Sequence, residues 1–168
     1  ITLYDVDSCD LSTLDLTPLK YMSGQIMYYS NKSLINVFHS DTSAFIWKYH
    51  GYDCSLSLTL DISGLTSLGN TILLQNNMNL QNILLPTLTK DISVFNAYNC
   101  SLNTSNIDNI LGKFDDWYVA HTPLFDLSIN LSGPKMGKAS VTDGSTHIYN
   151  LSNWCASAGK SLKIDVSI

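Results

Sequence analysis

Apolar and polar positions alternate in short runs through the first two-thirds of the chain, and one phrase keeps returning. Its leucine is Leu11 in SCDL, Leu34 in NKSL, Leu56 in DCSL, Leu80 in NMNL and Leu102 in NCSL, at intervals of 23, 22, 24 and 22 residues. A period of about 20–29 residues with an apolar anchor predicts a solenoid, whose units cannot bury their apolar faces alone and therefore stack. After the anchor comes an L-x-x-apolar-x-apolar run: LSTLDLTP (11–18), LSLTLDIS (56–63) and LQNILLPT (80–87). Before it lies a second extended stretch: QIMYYS (25–30), AFIWKY (44–49), TILLQN (71–76) and SVFNAY (93–98). The fold class expected is mainly β with some α. About five coils of 22–24 residues would each supply two short strands, stacked roughly 4.8 Å apart so that equivalent side chains form columns.

The column two residues before the anchor holds Cys9, Cys54 and Cys100, with Lys32 and Met78 in the other coils. Cysteines in alternate coils would lie roughly 10 Å apart, beyond the about 7 Å reach of a disulfide. Cys9, Cys54, Met78 and Cys100 are therefore read as a structural column, with the thiols reduced, buried and inert. Cys155 lies outside the repeats.

SVFNAYNCSL (93–102) and NLQNILLP (79–86) resemble the bacterial leucine-rich repeat of the surface-protein, BspA-like type, whose coils read AF-x-x-C-x-x-L-x-x-I-x-LP. The resemblance covers about residues 3–111 and is strongest in the fourth and fifth coils. It weakens around 35–52, where the phrase is stretched as FIWKYHGYDC (45–54). It implies a leucine-rich-repeat fold and says little of function.

After Leu102 the period changes. SNIDNILGKF (105–114) places Ile107, Ile110, Leu111 and Phe114 at helical spacing, with Ser105 or Thr104 as N-cap. A strand LFDLSINL (124–131), a loop at 132–145, a helix HIYNLSNWCASAG (147–159) closed by Gly159, and a last strand at 161–168 follow. The domains expected are a solenoid over 1–111 and a small α/β C-terminal cap over 112–168, covering the core that a repeat stack leaves open. The order of this segment resembles a terminal unit of phage tail or fibre proteins and of bacterial surface proteins.

Composition narrows the partners. All 14 acids are Asp and all 9 bases are Lys, and the net charge is −5. Without arginine there is no bidentate clamp for phosphate, and the net charge repels polyanions, so nucleic acid is not an expected partner. No apolar run approaches the roughly 20 residues a bilayer requires, so membrane insertion is not expected.

Two candidate faces emerge. Tyr28, Tyr29, Trp47, Tyr49, Tyr52 and Tyr98 lie in the strand before the anchor and would make an aromatic stripe for sugar rings or a protein, unless half of them simply fill the core. Ser12, Thr13, Asp15, Asn36, Phe38, Ser57, Thr59, Asp61, Gln81 and Asn82 form the outward row of the anchor strand, which is also what any solvated sheet looks like. The stretch at 45–54 favours the aromatic stripe, because an insertion pushes side chains out of their column.

Catalytic signals are thin. His39, His50, His121 and His147 are scattered, and Cys54, four residues after His50, belongs to the buried column. Asp115 and Asp116 read as a solvated turn, since adjacent carboxylates do not flank a bond from two sides. SGPKMGK (132–138) lacks phosphate-loop spacing, and no CxxC or EF-hand pattern exists, so no cofactor or metal is expected. The sequons at Asn31, Asn99, Asn103, Asn130 and Asn150 are those expected by chance in an Asn- and Ser-rich chain.

The expectation is a non-enzymatic recognition or structural module of a phage particle or bacterial surface, binding a protein or a surface glycan through one strand face. A self-assembling subunit of a virion or extracellular filament is the alternative. An open solenoid end exposes strand edges. The start at Ile1 therefore suggests a preceding domain or a partner over that end, and a larger assembly or homo-oligomer.

Overall fold

The computed structural model describes residues 3–19, 21, 23–39 and 45–167. Its main element is a seven-stranded parallel sheet formed by β1 (Leu3–Asp5), β3 (Ser23–Met27), β5 (Phe45–His50), β7 (Ser67–Leu73), β9 (Ile92–Asn96), β10 (Leu127–Asn130) and β11 (Leu162–Asp165), in that spatial order. The returning chain forms two small parallel pairs, β2 (Thr13–Asp15) with β4 (Asn36–Phe38) and β6 (Leu58–Asp61) with β8 (Leu80–Leu84). This is a parallel β-solenoid of about four turns. The expected fifth coil begins with β9 but does not close with a strand, because the chain enters helix α1 (Thr104–Ala120) there instead.

One inward column runs through the whole main sheet: Tyr4, Ile26, Tyr49, Ile72, Phe95, Ile129 and Ile164 are in register. The continuous parallel sheet thus carries the solenoid's core across the expected domain boundary at residue 111, which falls inside α1.

Left-handed residues set the turns. Ser8, Ser30, Asp53, Asn76 and Asn99 all have φ between 52° and 63°, and each precedes a slot held by Cys9, Asn31, Cys54, Asn77 and Cys100. This revises the expected column. Asn31 and Asn77, not Lys32 and Met78, alternate with the cysteines, and Met78 is exposed. In the two Asn coils the anchor stands one residue further on, and a tight turn absorbs the difference: Leu34 N donates to Asn31 O and Leu80 N to Asn77 O, both at 2.9 Å.

Each slot from the second coil on donates to the carbonyl three residues before the slot of the coil beneath. Asn31 Nδ2 reaches Val6 O (2.6 Å), Cys54 Sγ reaches Tyr28 O (3.1 Å), Asn77 Nδ2 reaches Gly51 O (2.7 Å) and Cys100 Sγ reaches Leu74 O (3.2 Å). Cys54 and Cys100 are buried and unpaired with sulfur, with thiols pushed up to about 11 and about 12 by desolvation. Cys9 holds the same slot but is exposed, since no described coil lies beneath it. Asn31 is buried, which leaves no room for a glycan at that sequon.

The structural repeat is two coils long. Residues 46 apart repeat their roles: Asn31 and Asn77, Cys54 and Cys100, and Asp15 and Asp61. Each aspartate of the last pair caps its own turn, accepting from Thr17 N and Ser63 N. Next to the slot the core alternates large and small along Tyr28, Gly51, Leu74 and Ala97, and the Tyr28 ring lies where a Gly51 side chain would project. A methyl group there meets the fully buried, hydrogen-bonded ring. Gly51→Ala is accordingly expected to cost about 1–3 kcal/mol by overpacking. A fall in urea midpoint that disappears in a Tyr28→Leu background would establish the collision. A fall of equal size in both backgrounds would reject it.

Helix α1 is capped by Asn103, one residue before the earlier of the two expected caps: in extended conformation, it accepts from Asn106 N at 2.9 Å. It runs past Phe114 because Tyr118 continues the buried stripe of Ile107, Ile110, Leu111 and Phe114. Helix α2 (Asp143–Ser157) packs across it, and left-handed Gly159 follows its end as expected. Asp115 and Asp116 therefore lie within α1 rather than in a turn. Asp115 is buried and holds α2, accepting from Asn150 Nδ2 and contacting His147 Nδ1, both at 2.8 Å.

Candidate binding groove

The aromatic stripe divides into three places. Tyr28 and Tyr49 are fully buried, which corrects their assignment to a binding face. They fill the core because their strand positions point inward, and Tyr28 Oη donates to Tyr49 Oη at 2.9 Å, which satisfies the hydroxyls. Tyr29 and Tyr52 stack along the edge of neighbouring coils, with centroids 4.7 Å apart and planes within 2°. The equivalent residue in the next coil is Gln75, so exposed Tyr98 stands apart from this pair.

The polar row of the anchor strand is engaged within itself. Ser57 Oγ donates to Asn36 Oδ1, Asn82 Nδ2 to Thr59 Oγ1 and Asn103 Nδ2 to Asn82 Oδ1. These bonds tie one coil to the next, and together with the turn-capping Asp15 and Asp61 they give the row a structural role. Ser12, Thr13 and Gln81 are exposed, as are the apolar Phe38 and Leu84.

Trp47 lies elsewhere. The register of β5 on β7 passes from Ile46–Leu68 to Lys48–Thr71, so Trp47 faces the two residues Gly69 and Asn70 of the neighbouring strand. Asn70 has a left-handed φ of 58°. Against β3, Trp47 is itself the extra residue between the pairs Gly24–Ile46 and Gln25–Lys48, as the longer phrase around residues 45–54 requires, and it is 40% exposed. Buried Gly69 keeps the neighbouring position low, and Lys90 crosses above it.

Trp47 lines a groove of about 760 Å³, walled on the other side by the end of α1 and the segment leading to β10. The Trp117 indole is fixed there, since its Nε1–H donates to Asp91 Oδ1 at 2.9 Å. The His121 ring stacks on it, 3.7 Å between centroids with planes 15° apart, and its Nδ1–H donates to Trp117 O. The second oxygen of Asp91 accepts from Leu124 N at 2.9 Å, which anchors the following loop. Phe45, Leu124 and Phe125 add apolar surface, and all three are more than two-fifths exposed. Asn70, Thr89 and Lys90 supply the polar rim.

Sequence reasoning found Trp47 and missed the opposite wall. Trp117 and His121 are separated from Trp47 by some 70 positions, and only the return of α1 over the coils brings them together. The available signal was aromatic Trp117, beside the helical stripe, followed by HTPLF at 121–125.

The other titratable clusters are structural. His50 Nε2 pairs with Thr71 Oγ1 at 2.9 Å, and the Cys54 thiol is raised and committed to a carbonyl, so the two do not form a nucleophile–base pair. Among the described residues no group of three His, Cys, Asp or Glu side chains is arranged to hold a metal ion. No described helix is long and apolar enough to cross a membrane. Comparison with protein-family models, curated proteins and solved structures gives no match.

Proposed function

We propose that this chain is a non-enzymatic recognition module that binds a surface glycan in the groove between Trp47 and Trp117. The solenoid is of leucine-rich-repeat type in this reading, and α1, β10, α2 and β11 form the cap over its last coil. Its setting is a phage tail or fibre, or a bacterial surface.

The observation that carries the proposal is the groove itself. Two tryptophans from distant parts of the chain line one cleft, and one of them is fixed by a hydrogen bond that core packing does not require. Aromatic faces bind the apolar faces of sugar rings, and holding them rigid lowers the entropy cost of binding. The concave shape fits an oligosaccharide, whereas protein partners favour broader surfaces.

Trp47→Ala should abolish retention on a glycan array and leave the thermal midpoint within a few degrees, because a half-exposed side chain contributes little to the core. Array binding that survives this substitution would remove the groove from the proposal. The alternative, a self-assembling subunit of a virion or filament, draws on exposed Phe38 and Leu84 on the small strand pairs. Light scattering separates the two: growth of mass with concentration, lost on Phe38→Ser, would favour assembly.

A further inference from the structure

The rim of the groove carries an ammonium and an amide donor beside the hydroxyls of Thr89 and Thr122, which can donate or accept. Lys90 lines it, and the Lys48 ammonium lies 5.4 Å from the centroid of the Trp47 ring. Neither lysine forms an ion pair with a described residue. Asn70 uses its Oδ1 to accept from Ser93 Oγ, which leaves its Nδ2 without a partner among the described residues. The groove's carboxylate is turned to structural use, since both oxygens of Asp91 accept bonds from Trp117 and Leu124.

This arrangement runs against the character of the chain. A protein of net charge −5 repels anions at long range, yet the groove carries the Lys90 ammonium and a free amide donor beside aromatic walls, with the Lys48 ammonium next to Trp47. A neutral sugar offers hydroxyls that donate as readily as they accept and brings no charge to meet an ammonium group. A carboxylate brings acceptor oxygens and no donor, and ammonium–carboxylate hydrogen bonds are the stronger kind.

We infer that the groove selects a glycan with a carboxylated sugar, of the sialic or uronic acid class, at the bound position. The ring packs on the Trp47 and Trp117 walls, and the carboxylate meets Lys90, with Lys48 and Asn70 in support. This rests on the glycan-recognition reading above and names the ligand class for that same groove.

The test is titration of the full chain, followed by tryptophan fluorescence, with two matched pairs: sialyllactose against lactose, and tetragalacturonate against its methyl ester. The acidic member of at least one pair should bind about tenfold more tightly, the gain of one charge-assisted hydrogen bond. Lys90→Gln, a substitution at an exposed site, should erase that preference and keep the weaker neutral binding. Trp47→Ala should remove both. Raising the salt concentration should weaken the acidic ligands alone. Equal affinity for acidic and neutral members, or a preference that Lys90→Gln leaves intact, would overturn the carboxylate inference and leave glycan recognition standing. Absence of binding by all four sugars at millimolar concentration would overturn both.

Discussion

Asn77→Ala is expected to lower the unfolding free energy by about 3–4 kcal/mol, a large part of the roughly 5–15 kcal/mol that holds a domain folded. The side chain is fully buried and serves three backbone groups in two coils. Its Nδ2 donates to Gly51 O at 2.7 Å and Leu74 O at 2.8 Å, and its Oδ1 accepts from Leu56 N at 3.3 Å. Alanine leaves these groups without a partner in a region closed to water, and an orphaned buried polar group costs about 1–3 kcal/mol. Leu74 O retains one bond, from Cys100 Sγ, which keeps the total below the sum of three full penalties. Cysteine fills the equivalent slot at 54 and 100, where its thiol donates to the carbonyl of the coil beneath. Asn77→Cys should therefore recover part of the loss. Urea unfolding followed by circular dichroism measures all three proteins. Equal midpoints for wild type and Asn77→Ala would show that the ladder contributes nothing.

Acid should weaken the fold well before the carboxylates titrate. His39 Nε2 lies 2.7 Å from Tyr49 Oη, which in turn accepts from Tyr28 Oη. Because Tyr28 donates into Tyr49, the Tyr49 proton is free to go to His39, which must then be neutral and accept. Its Nδ1 is sealed from solvent with no partner among the described residues. Desolvation pushes the imidazole from 6.5 down to about 4, against a smaller opposing pull from Asp61. The unfolded chain thus binds a proton that the folded protein refuses between these two values. The stability contribution is complete above pH 6.5, declines as the pH falls, and is lost by about pH 4. Its full size is about 3 kcal/mol, of which about 2 kcal/mol should vanish between pH 7 and pH 5. Asp15 and Asp126 titrate below their ordinary range, so they add little in that window. His39→Gln should remove most of the dependence, while His50, lowered by burial and by Lys48, keeps a smaller share. Parallel slopes for the two proteins between pH 7 and pH 5 would reject His39 as its source.

The leucine phrase determined much of this protein by itself. A period near 23 residues is a consequence of stacking, since equivalent positions must bury equivalent side chains, and it announced the solenoid and both strand runs of each turn. Helical spacing from Ile107 to Phe114 announced α1 for the same reason: one face must be apolar. Slot assignment was less legible. Counting back from the anchor placed Lys32 and Met78 in the column, while left-handed Ser30 and Asn76 put Asn31 and Asn77 there and a turn absorbed the extra residue. Two arrangements of similar local pattern differ here only in which side chain can reach a carbonyl of the coil beneath, and no local signal carries that.

The aromatic residues show the same division. The sequence placed Tyr28, Trp47 and Tyr49 in equivalent strand runs of neighbouring coils, and inward–outward alternation, broken by bulges, sent the tyrosines to the core and the tryptophan to the surface. Trp117 met Trp47 because α1 folds back over the coils. Spacing along a chain fixes what must repeat, and tertiary structure alone decides what stands across a groove, since that depends on the path of a segment that does not repeat.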